Sequence, residues 1–248
     1  MSGMRLWLNS DVGERPEALA DGSEAELIRL LDWANIACGG HAGDEATMTG
    51  VVRLCRQFGV QIGAHPGYPD REHFGRAALD LPPEVISRLV CEQVQALDDI
   101  ARATGAAVCH VKPHGALYNQ ASSDRSVAAA VGEGVRRCNR GALLVGLAGT
   151  VMLDVWKEQG FAVASEVFAD RRYAHDGSLR PRSLPGALIS NPEEAADQAR
   201  LAAEGLIRTW EGREIPARAD TVCIHSDTPG APAIARAIRR LRGEIRRS

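Results

Sequence analysis

Asn35-Ile36-Ala37-Cys38-Gly39-Gly40-His41-Ala42-Gly43-Asp44 opens as a strand and closes as a glycine-rich bend. The apolar run that begins at Trp33 fits a buried strand, and the bend carries a thiol, an imidazole and a carboxylate. Helix-forming sequence resumes near Ala46. Core packing alone has no use for three reactive groups on so tight a turn. Four other strand-to-loop junctions repeat the pattern: Leu8 to Glu14, Gly63 to Asp70, Val111 to Asn119, and Ile224 to Asp227. Polar chemistry collected at the ends of successive strands is the layout of an enzyme.

Outward from these junctions, short apolar runs alternate with helical patterns. Strands are expected at 5–9, 33–37, 61–64, 107–112, 143–147, 162–166, 187–190 and 221–225. Between Pro82 and Thr104, apolar residues recur at Ile86, Leu89, Val90, Val94, Leu97, Ile100 and Ala101, the spacing of one buried helix face. Asn191-Pro192-Glu193-Glu194 is a helix start, with a capping Asn and Pro in the first turn. Ile234, Ala237, Ile238, Leu241 and Ile245 form the inner face of a closing helix. Strand–helix alternation requires parallel pairing through crossovers. Seven or eight such units fit an α/β fold closed into a (β/α) barrel, one domain over residues 1–248, better than an open doubly wound sheet.

A formal charge of −3 argues against nucleic-acid binding. The local basic run Arg236, Arg239, Arg240, Arg242, Arg246 and Arg247 suits the solvated face and C-terminal turn of the last helix. The six cysteines show no CxxC pair, so the thiols are expected to be reduced. No secretory signal precedes the first strand, and no apolar run nears the roughly 20 residues of a membrane span. A soluble, cytoplasmic protein is the expectation.

Several residues have the chemistry of a site. Asp11 and Glu14 follow the first strand and can hold a metal or divide acid and base roles; the alternative is a helix cap. His41 suits a divalent metal or proton transfer, and Asp44 either orients it or caps the next helix. Cys38 is either a nucleophile or a packed apolar group. His65 is held at its strand's tip by Pro66, with Tyr68 and Asp70 beyond, whereas His73 lies in a more polar stretch and reads as ordinary. Lys is found only at 112 and 157. At a strand's end, Lys112 would be desolvated with a lowered pKa, would hold an anion, or would be salt-bridged. His114 and Tyr118 add donors there. Glu166, Asp170, Arg171, Tyr173 and Arg182 follow the sixth strand, and Ala169 to Pro185 is long enough for a lid whose arginines suit a carboxylate or phosphate. His225-Ser226-Asp227 closes the set, although adjacency alone does not make a triad. No phosphate-loop motif occurs. The residues point to hydrolysis or proton transfer on a small anionic substrate.

Taken in order and spacing, these junctions resemble the LamB/YcsF family. The match rests on Leu8-Asn9 with Asp11, Gly13 and Glu14; Asn35–Asp44; Gly63–Asp70; Val111–Asn119; Glu166–Arg171 with Tyr173; and His225 with Asp227. The resemblance implies an irregular seven-stranded (β/α) barrel similar to the glycoside hydrolase and polysaccharide deacetylase barrels. It implies ATP-dependent opening of 5-oxo-L-proline to L-glutamate with two further subunits, B and C. On that basis Asp11, Glu14, His41, Asp44, His65, Lys112 and His114 are expected to be catalytic, with Asp11, His41 and His65 as candidate ligands of a divalent metal. Substrate contacts are expected from Asn9, Asn35, Tyr68, Tyr118, Glu166, Asp170, Arg171, Tyr173, Arg182, His225 and Asp227. Trp7 stands where the family commonly has Asp, Ser10 where it has Cys, Gly40 where it has Phe, and Ser226 where it has Gly. A stand-alone metal-dependent amide or N-acetyl hydrolase is the competing expectation.

Overall fold

The computed structural model describes residues 6–243. Its strands are β1 (Trp7–Val12), β2 (Trp33–Ala37), β3 (Gln61–His65), β4 (His110–Val111), β5 (Leu143–Leu147), β6 (Val163–Phe168), β7 (Leu206–Arg208), β8 (Glu214–Pro216) and β9 (Thr221–His225). Seven of them close a parallel barrel in the order β1-β2-β3-β4-β5-β6-β9. The helices are α1 (Pro16–Ala20), α2 (Ser23–Ile28), α3 (Glu45–Phe58), α4 (Pro83–Ala103), α5 (Gly115–Ser123), α6 (Arg125–Cys138), α7 (Val151–Glu158), α8 (Pro192–Ala203) and α9 (Ala231–Leu241). No helix among the described residues is long and apolar enough to cross a membrane.

Local chemistry explains the elements. Strand β2 is buried along its whole length, as expected for a barrel strand covered on both faces. The bend after it is held by Gly39 N donating to Ala42 O at 2.8 Å. Gly43 there has φ +81, and a Cβ would lie 2.4 Å from Ala37 O, so both backbone angle and space require glycine. Asp44 then caps α3 by accepting from Thr47 N at 2.8 Å. Asn191 caps α8 by accepting from Glu193 N and Glu194 N.

The barrel interior is layered. At its floor Trp7 stacks on Trp33, ring centroids 5.9 Å apart, beside buried Val145 and Ala164. Trp7 therefore sits at the start of β1, far along the strand from the mouth, and its departure from the family pattern does not touch the polar cluster above. In the middle layer Thr221 Oγ1 accepts from Asn9 Nδ2, and Asn9 Oδ1 accepts from Asn35 Nδ2, each at 2.8 Å. Asn35 Oδ1 accepts from His110 Nε2 at 2.8 Å. His110 is Cα partner to Gly63, where a Cβ would stand 2.0 Å from His110 Nε2, so only glycine admits the ring.

The structure corrects several expectations. Strand β1 runs to Val12, past the expected 5–9 (of which Arg5 lies outside the described residues), and carries Asp11 within the sheet. Residues 187–190 are not a barrel strand. They lie against the loop after β6 through one antiparallel bridge, Arg171 to Leu188, because that loop has already turned back from the barrel. The β7–β8 hairpin is antiparallel and lies outside the barrel. Arginines of α9 are paired with acids on other elements: Arg236 with Glu26, Arg240 with Glu193, and Arg242 just beyond its end with Asp32. Ile245, Arg246 and Arg247 lie outside the described residues.

Candidate active site

Parallel strands point their C-terminal ends the same way, so the junctions after β1, β2, β3, β4, β6 and β9 share one mouth. A pocket of about 460 Å³ opens there, and Asp11, Glu14, His65, Lys112, His114 and His225 line its wall.

Four side chains form a buried knot: Glu14, His41, His65 and His114, each offering one ligand atom within 4.8 Å of the others. His65 Nδ1 lies 2.7 Å from Lys112 O, and His114 Nε2 lies 2.9 Å from Phe74 O. A carbonyl only accepts, so both ring nitrogens donate, and the remaining nitrogens, His65 Nε2 and His114 Nδ1, face each other at 2.9 Å. Glu14 Oε1 lies 2.9 Å from His41 Nε2 and 3.2 Å from His114 Nδ1. The rings of His41 and His114 stack with centroids 3.5 Å apart. Burial pushes His41 down to about 4 against the pull of Glu14, and burial also lowers His114. Burial opposes ionisation of Glu14, but hydrogen bonds from His114 and His41 hold its carboxyl well below the ordinary range. Burial opposes a charge on His65 but Asp11 raises its pKa, so the two facing nitrogens and the Glu14 carboxylate share protons that a divalent ion would displace. Imidazoles braced by carbonyls and turned inward are the donor set of a first-row divalent ion such as zinc. This buried cluster can hold a metal. Its membership differs from the expected Asp11, His41 and His65: Glu14 and His114 enter the set, while Asp11 Oδ2 stays 3.4 Å from His65 Nε2 and is engaged elsewhere.

That engagement is with Lys112. Its ammonium lies 2.9 Å from Asp11 Oδ1, 2.9 Å from Glu166 Oε2 and 3.2 Å from Cys223 Sγ. It hydrogen-bonds Asp11 and Cys223 and pairs its charge with Glu166. Burial would lower its pKa, but the charges of Asp11 and Glu166 override this and hold it well above the usual value. The expectation of a lowered pKa or a free anion-binding ammonium is therefore overturned: Lys112 ties β4 to β1, β6 and β9. Asp11 also accepts from Asn35 Nδ2 at 2.9 Å, and His65 and Lys112 outweigh burial to keep it ionised. Tyr118 Oη donates to Glu166 Oε1 at 2.9 Å, which places Glu166 behind the wall.

The outer rim is basic. Arg76 Nη2 and Arg182 Nη1 both reach Asp227 Oδ2, at 2.8 and 3.0 Å. Arg171 is buried, with Nη2 donating to Arg180 O and Nε lacking a protein partner. Burial and the neighbouring Arg182 lower it to about 10. Three guanidinium groups meet one carboxylate here, so the rim favours an anion. The segment after Phe168 does form one wall, through Arg171, Ser178, Leu179, Pro181 and Arg182.

Other expected site residues lie elsewhere. Asp44 is exposed and serves as the α3 cap. Tyr68 packs in the core and burial raises its pKa to about 12. Tyr173 is buried, its Oη accepting from Phe168 N. Asn9 and Asn35 sit in the middle layer beneath Asp11. Neither Asp11 nor Glu14 caps a helix: the N-cap of α1 is Arg15, without a side-chain bond. Burial pushes the Cys38 thiol to about 12, so it packs as an apolar group. His73 is exposed against Asp70. Sequence reasoning missed His110 and Phe74. His110 is two residues before Lys112 and so shares its strand face, a signal period-two parity would have given. Phe74 has φ +56, which turns its carbonyl to His114, and nothing in its residue type announces that.

Comparison with known proteins agrees with this geometry. A lactam utilization protein from Thermus thermophilus shares 43% identity over 96% of this chain and 95% of its own, with a TM-score of 0.88. A protein from Enterococcus faecalis named for putative cellobiose-phosphate cleavage shares the fold alone, at 12% identity and a TM-score of 0.53 over 98% of this chain and 94% of its own. The family model for LamB/YcsF matches residues 6–245. This chain belongs to the LamB/YcsF family.

Proposed function

We propose that this chain opens the lactam of 5-oxo-L-proline to give L-glutamate, as the A component of an ATP-dependent 5-oxoprolinase acting with subunits B and C. The observation that carries the reading is a single pocket with acids and imidazoles at its base and arginines at its rim. Likeness to a lactam utilization protein supports the substrate class. A five-membered lactam is a stable amide, and phosphorylation of its oxygen by ATP supplies both driving force and a leaving group. Arg171, Arg182 and Arg76 would receive the substrate's anionic groups. Asp11 and the Glu14 cluster would direct water to the carbonyl and stabilise the charge that develops on its oxygen. A metal held by Glu14, His41, His65 and His114 would supply Lewis acidity at that oxygen. The test is glutamate release from purified A, B and C with ATP, each omitted in turn. Omission of any component should abolish release.

The metal-ligand set favours a second reading, a stand-alone metal-dependent amide or N-acetyl hydrolase. Hydrolysis of a simple amide by this chain alone, without ATP and sensitive to chelation, would replace the first reading.

A further inference from the structure

We propose that His225 delivers the proton to the departing lactam nitrogen, with Asp170 as its positioning residue. The assignment rests on the lactam reading above. His225 ends β9 and is Cα partner to Asp11 of β1, so it stands beside the acid at the pocket base. Its Nδ1 lies 3.0 Å from Asp170 Oδ2. Asp170 is fully buried and also accepts from His225 N at 2.9 Å and Thr228 Oγ1 at 2.6 Å. Three donors therefore lock this carboxylate and, through it, the imidazole. Because the carboxylate accepts, Nδ1 donates, and the reactive atom is Nε2. The ring stacks on Phe168, centroids 5.1 Å apart at 10°, and lines the pocket. Nε2 makes no hydrogen bond to the described residues.

Elimination among the other groups on the wall leads to the same residue. Lys112 is committed to Asp11 and Cys223 by hydrogen bonds and to Glu166 by an ion pair, and its pKa is held well above the usual value. Tyr118 gives its proton to Glu166, and burial raises its pKa well above the usual value. His65 and His114 are turned toward each other in the four-residue knot. Asp11 and Glu14 are held as carboxylates. Arginines are too basic to release a proton at neutral pH. His225 alone among these is rigidly oriented and has an uncommitted ring nitrogen.

The step balances. Water has added to the carbon of the O-phosphorylated lactam, giving a tetrahedral species that bears nitrogen, hydroxyl and phosphate. The C–N bond breaks and its electron pair passes to nitrogen, which takes the proton from Nε2 of the His225 imidazolium. The hydroxyl oxygen gives its proton to solvent and forms the carbon–oxygen double bond. A second water releases phosphate from the resulting acyl phosphate to give glutamate, and the neutral imidazole regains its proton from solvent. An unprotonated nitrogen is a poor leaving group, so without this proton the species expels phosphate instead and returns the lactam with the water's oxygen in its carbonyl.

That reversal supplies the test. The chain is combined with its partner subunits, ATP and 5-oxo-L-proline in heavy-oxygen water. His225→Asn keeps an amide N–H toward Asp170, and Asp170→Asn inverts the tautomer preference. Each should cut kcat for glutamate by about 10²- to 10⁴-fold with KM near wild type. Recovered lactam should carry heavy oxygen in its carbonyl, which a merely structural defect would not produce. An unchanged kcat, or a loss without label in the lactam, overturns the assignment. A wild-type complex that releases no glutamate overturns the lactam reading and this assignment together.

Discussion

At the scale of single residues, two buried groups act in opposite ways. The Glu14, His41, His65 and His114 set gathers three imidazoles and a carboxylate around one point, so it should take up a divalent ion in exchange for protons. Calorimetry with zinc should show about one site per chain, weakened roughly 10- to 100-fold by Glu14→Gln and progressively as acid protonates the histidines. Zinc affinity unaltered by Glu14→Gln would dismiss the cluster as a metal centre. Lys112, by contrast, has its charge compensated by Asp11 and Glu166. Lys112→Met would leave Asp11 and Glu166 facing each other in the interior, and should cost about 3–5 kcal/mol in denaturant unfolding. A neutral effect would mean that solvent reaches these carboxyl groups.

At the scale of elements, β3 and β4 are fitted to each other through one glycine. Gly63→Ala places a methyl on the His110 ring and should destabilise by about 1–3 kcal/mol through overpacking. The double variant Gly63→Ala/His110→Ala should be less unstable than the two single losses added, since the clash needs both partners. Strict additivity in thermal or denaturant unfolding would refute this coupling. The α3 cap makes a complementary case: Asp44→Ala should cost some stability and leave turnover intact, because the carboxylate serves Thr47 N and not the pocket.

At the scale of the whole molecule, stability should depend on one acid outside the pocket wall. Glu24 accepts from Gly13 N through Oε1 at 2.7 Å, while Oε2 is buried without a partner. Burial raises its pKa from 4.5 to about 7. Between those values the folded chain holds a proton that the unfolded chain has lost, so stability falls as pH rises from about 4.5 to about 7. Glu24→Gln should remove this slope and gain roughly 1–3 kcal/mol at pH 8. Parallel stability curves for the two proteins across that window would show that Glu24 ionises freely.

The sequence alone determined the local features of this protein. Strand ends bearing Asp11, His41, His65, Lys112 and His225 were legible because each junction signals itself through neighbouring glycines, prolines and apolar runs. Helices α4 and α8 were legible because periodicity and caps act over a few residues. Tertiary structure decided what depends on long-range company. The antiparallel bridge at Leu188 and the β7–β8 hairpin were hidden because a short apolar run does not name its partner. Lys112 changed its expected character because Asp11, Glu166 and Cys223 approach from three other strands. Only closure of the sheet turns the nitrogens of His65 and His114 onto one point, because hydrogen-bond direction is fixed by carbonyls that the residue letters do not place.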